Sequence, residues 1–486
     1  MNMKKYIFSI LFALSALSAS AQGWNVSWNA EADFLGGTGE YLPFWARTGR
    51  NGIVPYSSSA LAIGGADVEY KAHNGIYFQA GTNLVGSLES QNPIHKGRTN
   101  GIVDRLYVSG GWKMLHLDVG MKPLRSELGD LSISGGDVLW SGNARNMPGI
   151  RGWSDWIYFE KGHWLGFKGD VAHYQTMDTR YVQGTKIHYK SFALKLAAGR
   201  KVDLMVGVHH WAQWAGVSPS QGQQPSTFND FLRVLFVQSG GEDATVSDQQ
   251  NVLGNHLGRE YFRVDWRAER FTMNLQYDMP FEDNGGIKRL QNFPDGVWSL
   301  KFSFADRKAF VTDVVGEFIN TTWQAGPLHD RPATEEEMKH QNPESPWYGI
   351  FTLGGCDNYF MNGTYRSGWT YYGRTIGLPL IIANAPDANG VVNGIANNRI
   401  RAYHLGIHGN AFKGIPYTLK STYSSNWGRY NIGEDNFFYT KPWQLSMALE
   451  FEFGRYAVGA YGDIGKVYQN SAGLTFRVAY KDSKRF

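Results

Sequence analysis

Apolar and polar residues alternate with a period of two along most of the 486-residue chain, and no other feature limits its fold so strongly. Trp24, Val26, Trp28, Ala30, Ala32 and Phe34 share one parity, and Asn25, Ser27, Asn29, Glu31 and Asp33 the other. Phe262, Val264, Trp266 and Ala268 oppose Tyr261, Arg263, Asp265 and Arg267. Leu445, Met447, Leu449, Phe451 and Phe453 oppose Ser446, Ala448, Glu450 and Glu452. Successive side chains of a strand point to opposite faces, so each segment has one apolar, aromatic face and one that carries full charges. The pattern predicts about eighteen strands, near 24–35, 57–70, 76–86, 100–112, 114–121, 152–160, 164–174, 186–197, 202–214, 260–268, 271–277, 297–304, 309–319, 400–410, 415–425, 444–453, 456–465 and 472–481.

The connections fall into two kinds. Every second one is tight, as at Lys113, Glu269–Arg270 and Gly454–Arg455. The others are mostly long, and the largest cover 122–151, 215–259 and 320–399. A soluble sandwich also alternates, but it has no reason to sort its loops by length to one end. A transmembrane barrel has short periplasmic turns and long extracellular loops, and its closure gives every backbone N–H and C=O a partner in lipid. The expected fold is therefore all-β: a transmembrane antiparallel β-barrel with a few small helices. An even strand number puts both termini at the periplasmic end. The last strand alternates through Leu474, Phe476, Val478 and Tyr480, and Phe486 closes the chain in the same parity, like the signal read by the barrel-insertion machinery. A barrel of this size leaves an aqueous or loop-plugged interior, which Arg263, Arg267, Glu450, Glu452, Arg477 and Lys481 are expected to face.

Composition removes the competing classes. Mean hydropathy is −0.36, and beyond the N-terminus no stretch approaches the roughly 18 apolar residues of a membrane helix, which excludes a helical transporter. A single cysteine, Cys356, excludes a disulfide framework and a cysteine-built zinc or iron–sulfur site. Lys4 and Lys5, the apolar run Tyr6–Leu17 and the Ala19-Ser20-Ala21 site read as an export signal over 1–21, cleaved near Ala21–Gln22. One outer-membrane barrel domain over 22–486 is expected to follow. Loss of the two lysines takes the formal charge from +4 to +2, a balance that gives no reason to expect nucleic acid.

Several stretches, in order, resemble the Wzi family of outer-membrane capsule-assembly proteins in its Bacteroidetes-type form. They are Gly39-Glu-Tyr-Leu-Pro-Phe-Trp45, Gly120-Met-Lys122 with Trp140-Ser-Gly-Asn-Ala144, Gly254-Asn-His-Leu-Gly258, Phe281-Glu-Asp283 with Pro294-Asp-Gly296, and Asp357-Asn-Tyr-Phe-Met-Asn362 running into Ser367-Gly-Trp-Thr-Tyr-Tyr-Gly373 and Ile376-Gly-Leu-Pro379. The resemblance implies an eighteen-stranded outer-membrane barrel that acts as a lectin-like surface protein and holds capsular polysaccharide. Pro43-Phe44-Trp45 reads either as a helical element on the periplasmic side or as part of the long external loop 36–56.

The motif-bearing segments fall in the long loops. The loop 320–399 carries Trp323, Trp347, Tyr348, Tyr359, Phe360, Tyr365, Trp369, Tyr371 and Tyr372, with Asp357, Asn358, Arg366 and Arg374 among them. Sugar C–H faces stack on such rings, and sugar hydroxyls bond such polar groups. The same rings would equally pack the loop into a cap over the pore. Asn255 and His256, and the carboxylates Glu282 and Asp283, complete the candidate glycan-binding set, although solvated loop charge explains Glu282, Asp283 and Asp295 as well.

Catalytic and metal signatures are weak. His404 and His408 share a strand face, but positions four apart lie about 13 Å apart, too far for one metal. His209 and His210 point to opposite faces if their segment is a strand. No phosphate loop, nucleophile elbow or His-Glu-x-x-His helix is present. Glu335-Glu336-Glu337 reads as a helix start or solvated loop. The expectation is a non-enzymatic barrel without metal or cofactor, whose partners are capsular or exopolysaccharide, outer-membrane lipid and, during biogenesis, the insertion machinery. The alternative is a porin or sugar-specific outer-membrane channel.

Overall fold

The computed structural model describes residues 23–72, 74–90, 99–124, 126–159, 163–282, 290–328, 330–345, 348–351 and 354–485. Residues 1–21, which read as an export signal, and Phe486 lie outside them. Eighteen strands form one closed antiparallel sheet. In order they are β1 (Trp24–Gly37), β2 (Ser59–Lys71), β3 (Ile76–Glu89), β4 (Thr99–Trp112), β5 (Leu115–Met121), β6 (in two pieces, Gly149–Ser154 and Ile157–Tyr158), β7 (Leu165–Gln175), β8 (Lys186–Ala198) and β9 (Val202–Trp214). They continue with β10 (Asn255–Arg267), β11 (Phe271–Phe281), β12 (Gly296–Phe304), β13 (Asp313–Asn320), β14 (Ile400–Asn410), β15 (Pro416–Asn426), β16 (Trp443–Phe453), β17 (Tyr456–Gly465) and β18 (Ser471–Arg485). Each pairs with its neighbours in sequence, and β1 closes on β18 from Asn25↔Arg485 to Gly37↔Gly473. The long loop 321–399 is bridged at its base by β13 pairing with β14.

The outer surface is what lipid requires. Phe34, Leu84, Leu88, Leu106, Val108, Val206 and Leu474 are all exposed. Exposed rings gather at both ends of the strands: Trp112, Trp164, Trp266, Phe453 and Tyr456 near the short turns, and Trp298, Tyr403, Tyr423 and Trp443 near the long loops. These are the two aromatic girdles of a membrane-spanning barrel. An eleven-residue strand such as β14 rises about 36 Å and, tilted by about 40°, crosses about 28 Å of membrane. Among the described residues no helix is long and apolar enough to cross a membrane.

The lumen is filled by the chain itself. The segment after β1 carries the short helix α1 (Phe44–Arg47). It is helical, and of the two placements the sequence left open the external one holds: the segment enters the barrel from the long-loop end. Phe44 N donates to Asp463 Oδ2 at 2.8 Å, and Trp45 Nε1 donates to Thr422 Oγ1 at 3.2 Å. Phe44 and Trp45 need a dry site, and the inner wall of β14–β17 supplies it. Arg50 then ties the segment to β1 through Glu31 (2.9 Å) and Asp33 (2.5 Å).

The segment 122–148 reaches further. Asn146 bonds Asp104 on β4. Trp140 stacks on Trp211 of β9 at 4.7 Å. Arg259 of β10 and Gln276 of β11 donate to Gly136 O. Lys301 of β12 donates to Leu128 O, and Ser132 and Ser134 donate to Glu317 of β13. His404 of β14 bonds Leu131 O at 2.7 Å. Glu127 at the tip meets Lys168 and Arg263, a few residues from the short-turn end. Together these two segments form a plug whose apolar residues, among them Leu42, Phe44, Val54, Leu128, Val138, Leu139 and Met147, are almost wholly buried.

The loop 215–254 turns the other way. Tyr174, Ile187, Tyr189, Trp211 and Leu257 belong to the lumenal core, so their neighbours His173, His188, His210 and His256 point outward. Helix α2 (Phe228–Leu235), capped by Thr227 and Asp230, and helix α3 (Val246–Gln250) fold back over this patch. Phe231 packs on His188 at 5.5 Å and on His173 at 5.6 Å, and Lys190 donates to Leu235 O. Phe228, Phe236 and Val246 remain exposed on the outer side of the flap.

Candidate functional site

Above the plug, the loop 321–399 forms a packed cap. Trp369 is 0% exposed and donates through Nε1 to Leu139 O at 2.7 Å, so it pins the cap to the plug. Gly377 sits where a Cβ would come 2.2 Å from Val138 O; only glycine lets the two backbones approach so closely. Tyr359 and Tyr371 are also buried, and the Tyr365 hydroxyl donates to Ala215 O at 3.3 Å. These rings face protein, not the outside.

Asp295 is the hub beneath the cap. It is not solvated loop charge: it is fully buried and accepts from Asn320 Nδ2 (2.7 Å), Trp323 N (2.9 Å), Gln324 N (2.6 Å) and the Tyr359 hydroxyl (3.1 Å). Burial pushes its carboxyl up to about 7 against these donors. Asn292 bridges Tyr359 to Asp357. Asn358 is held by Asn398, and Glu282 accepts from Phe360 N. Glu335–Met338 forms a helical turn, α4, capped by Thr334, with Glu337 paired to Arg331 at 2.7 Å.

Asn255 and His256 were expected in a loop, but both are in β10, because strand pairing continues to the Gln213↔Asn255 pair. Asn255 points inward and donates to Gln213 Oε1 at 2.7 Å. His256 points outward, under the flap, and shares a hydrogen bond of 2.9 Å with His210. Asp283 and Trp347 lie outside the described residues. The twelve described candidate positions therefore scatter over the cap, the end of β11 and both faces of the β10 wall. Among the described residues no three His, Cys, Asp or Glu side chains are grouped to hold a metal.

Two of the expected residues do meet at one pocket. Tyr372 (37% exposed) and Arg374 line a pocket of about 50 Å³ at the long-loop rim, with Tyr56, Ser87, Glu89, Asn100 and Arg145. The Arg145 guanidinium lies 4.2 Å from the centre of the Tyr372 ring, and that of Arg374 lies 4.4 Å from the Tyr56 ring. Arg374 donates to Arg47 O and Val54 O. Burial lowers both guanidinium pKa values. Arg366 is exposed nearby on the cap, over Tyr181. Sequence reasoning missed Tyr56, Ser87 and Arg145, which come from three separate segments with no shared motif.

A second, larger cavity of about 530 Å³ opens at the short-turn end. Glu31, Asp67, Asn83, Arg105 and Lys481 line it, and Arg50 and Ile53 of the plug stand at its inner end.

No protein-family model and no curated protein matches this sequence. Solved structures are similar in outline. One is Wzi of Escherichia coli, described as an outer-membrane protein of group 1 capsule assembly and a carbohydrate-binding β-barrel; the identity is 12%, with 96% of this chain and 86% of that one covered and a TM-score of 0.49. Another is the outer-membrane protein OprD of Pseudomonas aeruginosa, at 9% identity, 96% of each chain and a TM-score of 0.46. OccAB4 of Acinetobacter baumannii stands at 9%, with 96% and 99% covered and a TM-score of 0.45. Likeness at this level does not separate a carbohydrate-binding barrel from a porin.

Proposed function

We propose that this protein is a non-enzymatic outer-membrane barrel that binds or retains capsular or other surface polysaccharide, in the manner of the Wzi-like proteins its motifs resemble. The observation that supports this reading is the plug. The segment 122–148 bonds or stacks with inward residues of β4, β7 and β9–β14, and α1 covers the wall of β14–β17. A lumen packed this way leaves the long-loop face as the working surface. That face offers rings with polar tips and exposed arginine, a combination suited to sugars in a half-wet site. The partners are then polysaccharide outside, outer-membrane lipid around the belt and the insertion machinery during biogenesis.

One observation favours the channel reading: the polar cavity at the short-turn end resembles a vestibule. Conduction would require the plug to move. Two measurements on the purified protein decide between the readings. Retention of native capsular polysaccharide, with little current in planar bilayers, is the expected result. Porin-like conductance without glycan retention would replace this reading with the channel.

A further inference from the structure

The arginines of the rim pocket are matched differently from those that line the barrel wall. Inside the barrel, Arg50, Arg105, Arg151, Arg259, Arg263 and Arg267 each face a carboxylate. Arg145 and Arg374 do not: among the described residues neither has a carboxylate at ion-pair distance. Arg374 is 6% exposed. The Nε of Arg145 is buried without a hydrogen-bond partner, and so is the hydroxyl of Ser87 on the opposite wall. A buried guanidinium without a counter-charge is costly, and an open cavity beside it is where the missing anion would sit. Glu89 also lines the pocket, held by Asn100 Nδ2 at 2.7 Å, and Asp178, whose charge reaches Arg145, is already paired with Arg180 at 3.5 Å, so the site stays cationic.

We propose that this pocket is a subsite for a planar oxyanion, the carboxylate of an acidic sugar residue in the bound polysaccharide. The proposal rests on the polysaccharide reading above and narrows it. Arg374 gives one N–H of each terminal nitrogen to Arg47 O and Val54 O, and Arg145 keeps its Nε–H unpartnered, so donors remain on both stacked guanidiniums to grip a carboxylate. The volume admits an acid group and not a whole sugar ring, so the ring stays outside, against the exposed Tyr372. Ser87 Oγ supplies a further donor. A phosphate on a lipopolysaccharide sugar shares this chemistry, so the test must tell the two sources apart.

The test uses the full barrel in detergent micelles, with oligogalacturonate as the acidic probe, maltohexaose as the neutral one, and lipid A with and without its phosphates as competitors. Oligogalacturonate is expected to bind more tightly than maltohexaose and to weaken as salt rises. Arg145→Gln should weaken the acidic probe about tenfold and leave the neutral one unchanged, with Arg145→Lys recovering part of the loss. Heat-modifiable migration confirms that each variant is folded. Equal binding of oligogalacturonate by wild type and Arg145→Gln would overturn the subsite. So would a pocket that responds to phosphorylated lipid A and not to oligogalacturonate. If native polysaccharide binds Arg145→Gln as well as wild type, the functional reading stands and the subsite falls. If wild type retains no polysaccharide at all, that reading falls, and the oligogalacturonate comparison judges the pocket alone.

Discussion

Asp137 on the inserted segment lies 3.1 Å from Arg259 Nε on the inner wall, and the same guanidinium holds Asp278 at 2.9 Å. Arg259 and Asp278 are each 1% exposed. One arginine thus fastens the plug to two adjacent strands, and His209 stands 3.7 Å from the same Asp137 carboxylate. The polarity of this latch is what holds a mobile type of element, a long loop, in one place inside a barrel.

Replacing Arg259 with methionine leaves two buried carboxylates without their cation. Removing one partner from a buried ion pair costs about 3–5 kcal/mol. The strand ladder does not depend on this side chain, so the loss falls on the plug. The expected outcome is a barrel that still resists SDS when unheated but shows higher and noisier single-channel current than wild type.

Gly406 on β14 faces the plug tip, and a Cβ there would lie 2.4 Å from Leu131 O. Gly406→Leu should push the tip from its seat and break the His404–Leu131 and Glu317–Ser134 bonds. Overpacking of this kind costs about 1–3 kcal/mol. Faster proteolysis within 126–136 is expected, read by mass spectrometry of the fragments.

Trp369 and Tyr372 are close in sequence and opposite in role. Trp369→Ala empties a fully buried site and should cost about 3–5 kcal/mol, lowering the thermal transition of the cap. Tyr372→Ala removes an exposed ring, with a stability change within about 0.5 kcal/mol, and is expected to weaken polysaccharide retention. A glycan pull-down beside a melting curve separates the two effects.

Asp295 gives the cap a pH dependence of defined sign. Its carboxyl titrates at about 7 in the fold and near 3.9 in an unfolded chain. The folded state therefore favours the protonated acid. Its contribution is intact below about pH 4, declines as pH rises to about 7, and is constant above that. Hydrogen exchange at Trp323 and Gln324, corrected for the intrinsic pH effect, should be better protected at pH 5 than at pH 8. Asp295→Asn should flatten the difference.

Much of the fold was legible before any coordinates. The alternation of Phe262, Val264 and Trp266 with Tyr261, Arg263 and Asp265 states which face meets lipid, because a period of two leaves no third option. The short turn at Glu269–Arg270 and the long segment 215–254 state which end is which. The candidate site was legible only in part. Tyr372 and Arg374 were visible as loop residues of the right chemistry, but nothing local marks Trp369 as a buried pin and Tyr372 as an exposed ring three positions later. Asp295 looked like any loop acid.

What the sequence determined by itself is the wall: strand periodicity and loop length are local properties, and a closed sheet is the one way to satisfy them in lipid. What tertiary structure decided is the destination of the loops. The segments carrying Trp45 and Asp137 turned inward, the one carrying Phe231 turned outward over the histidines, and Tyr56, Ser87, Arg145, Tyr372 and Arg374 met at one rim. Those choices rest on contacts between residues tens to hundreds of positions apart, such as Trp369 with Leu139 and Phe44 with Asp463, and no local pattern encodes a partner at that distance.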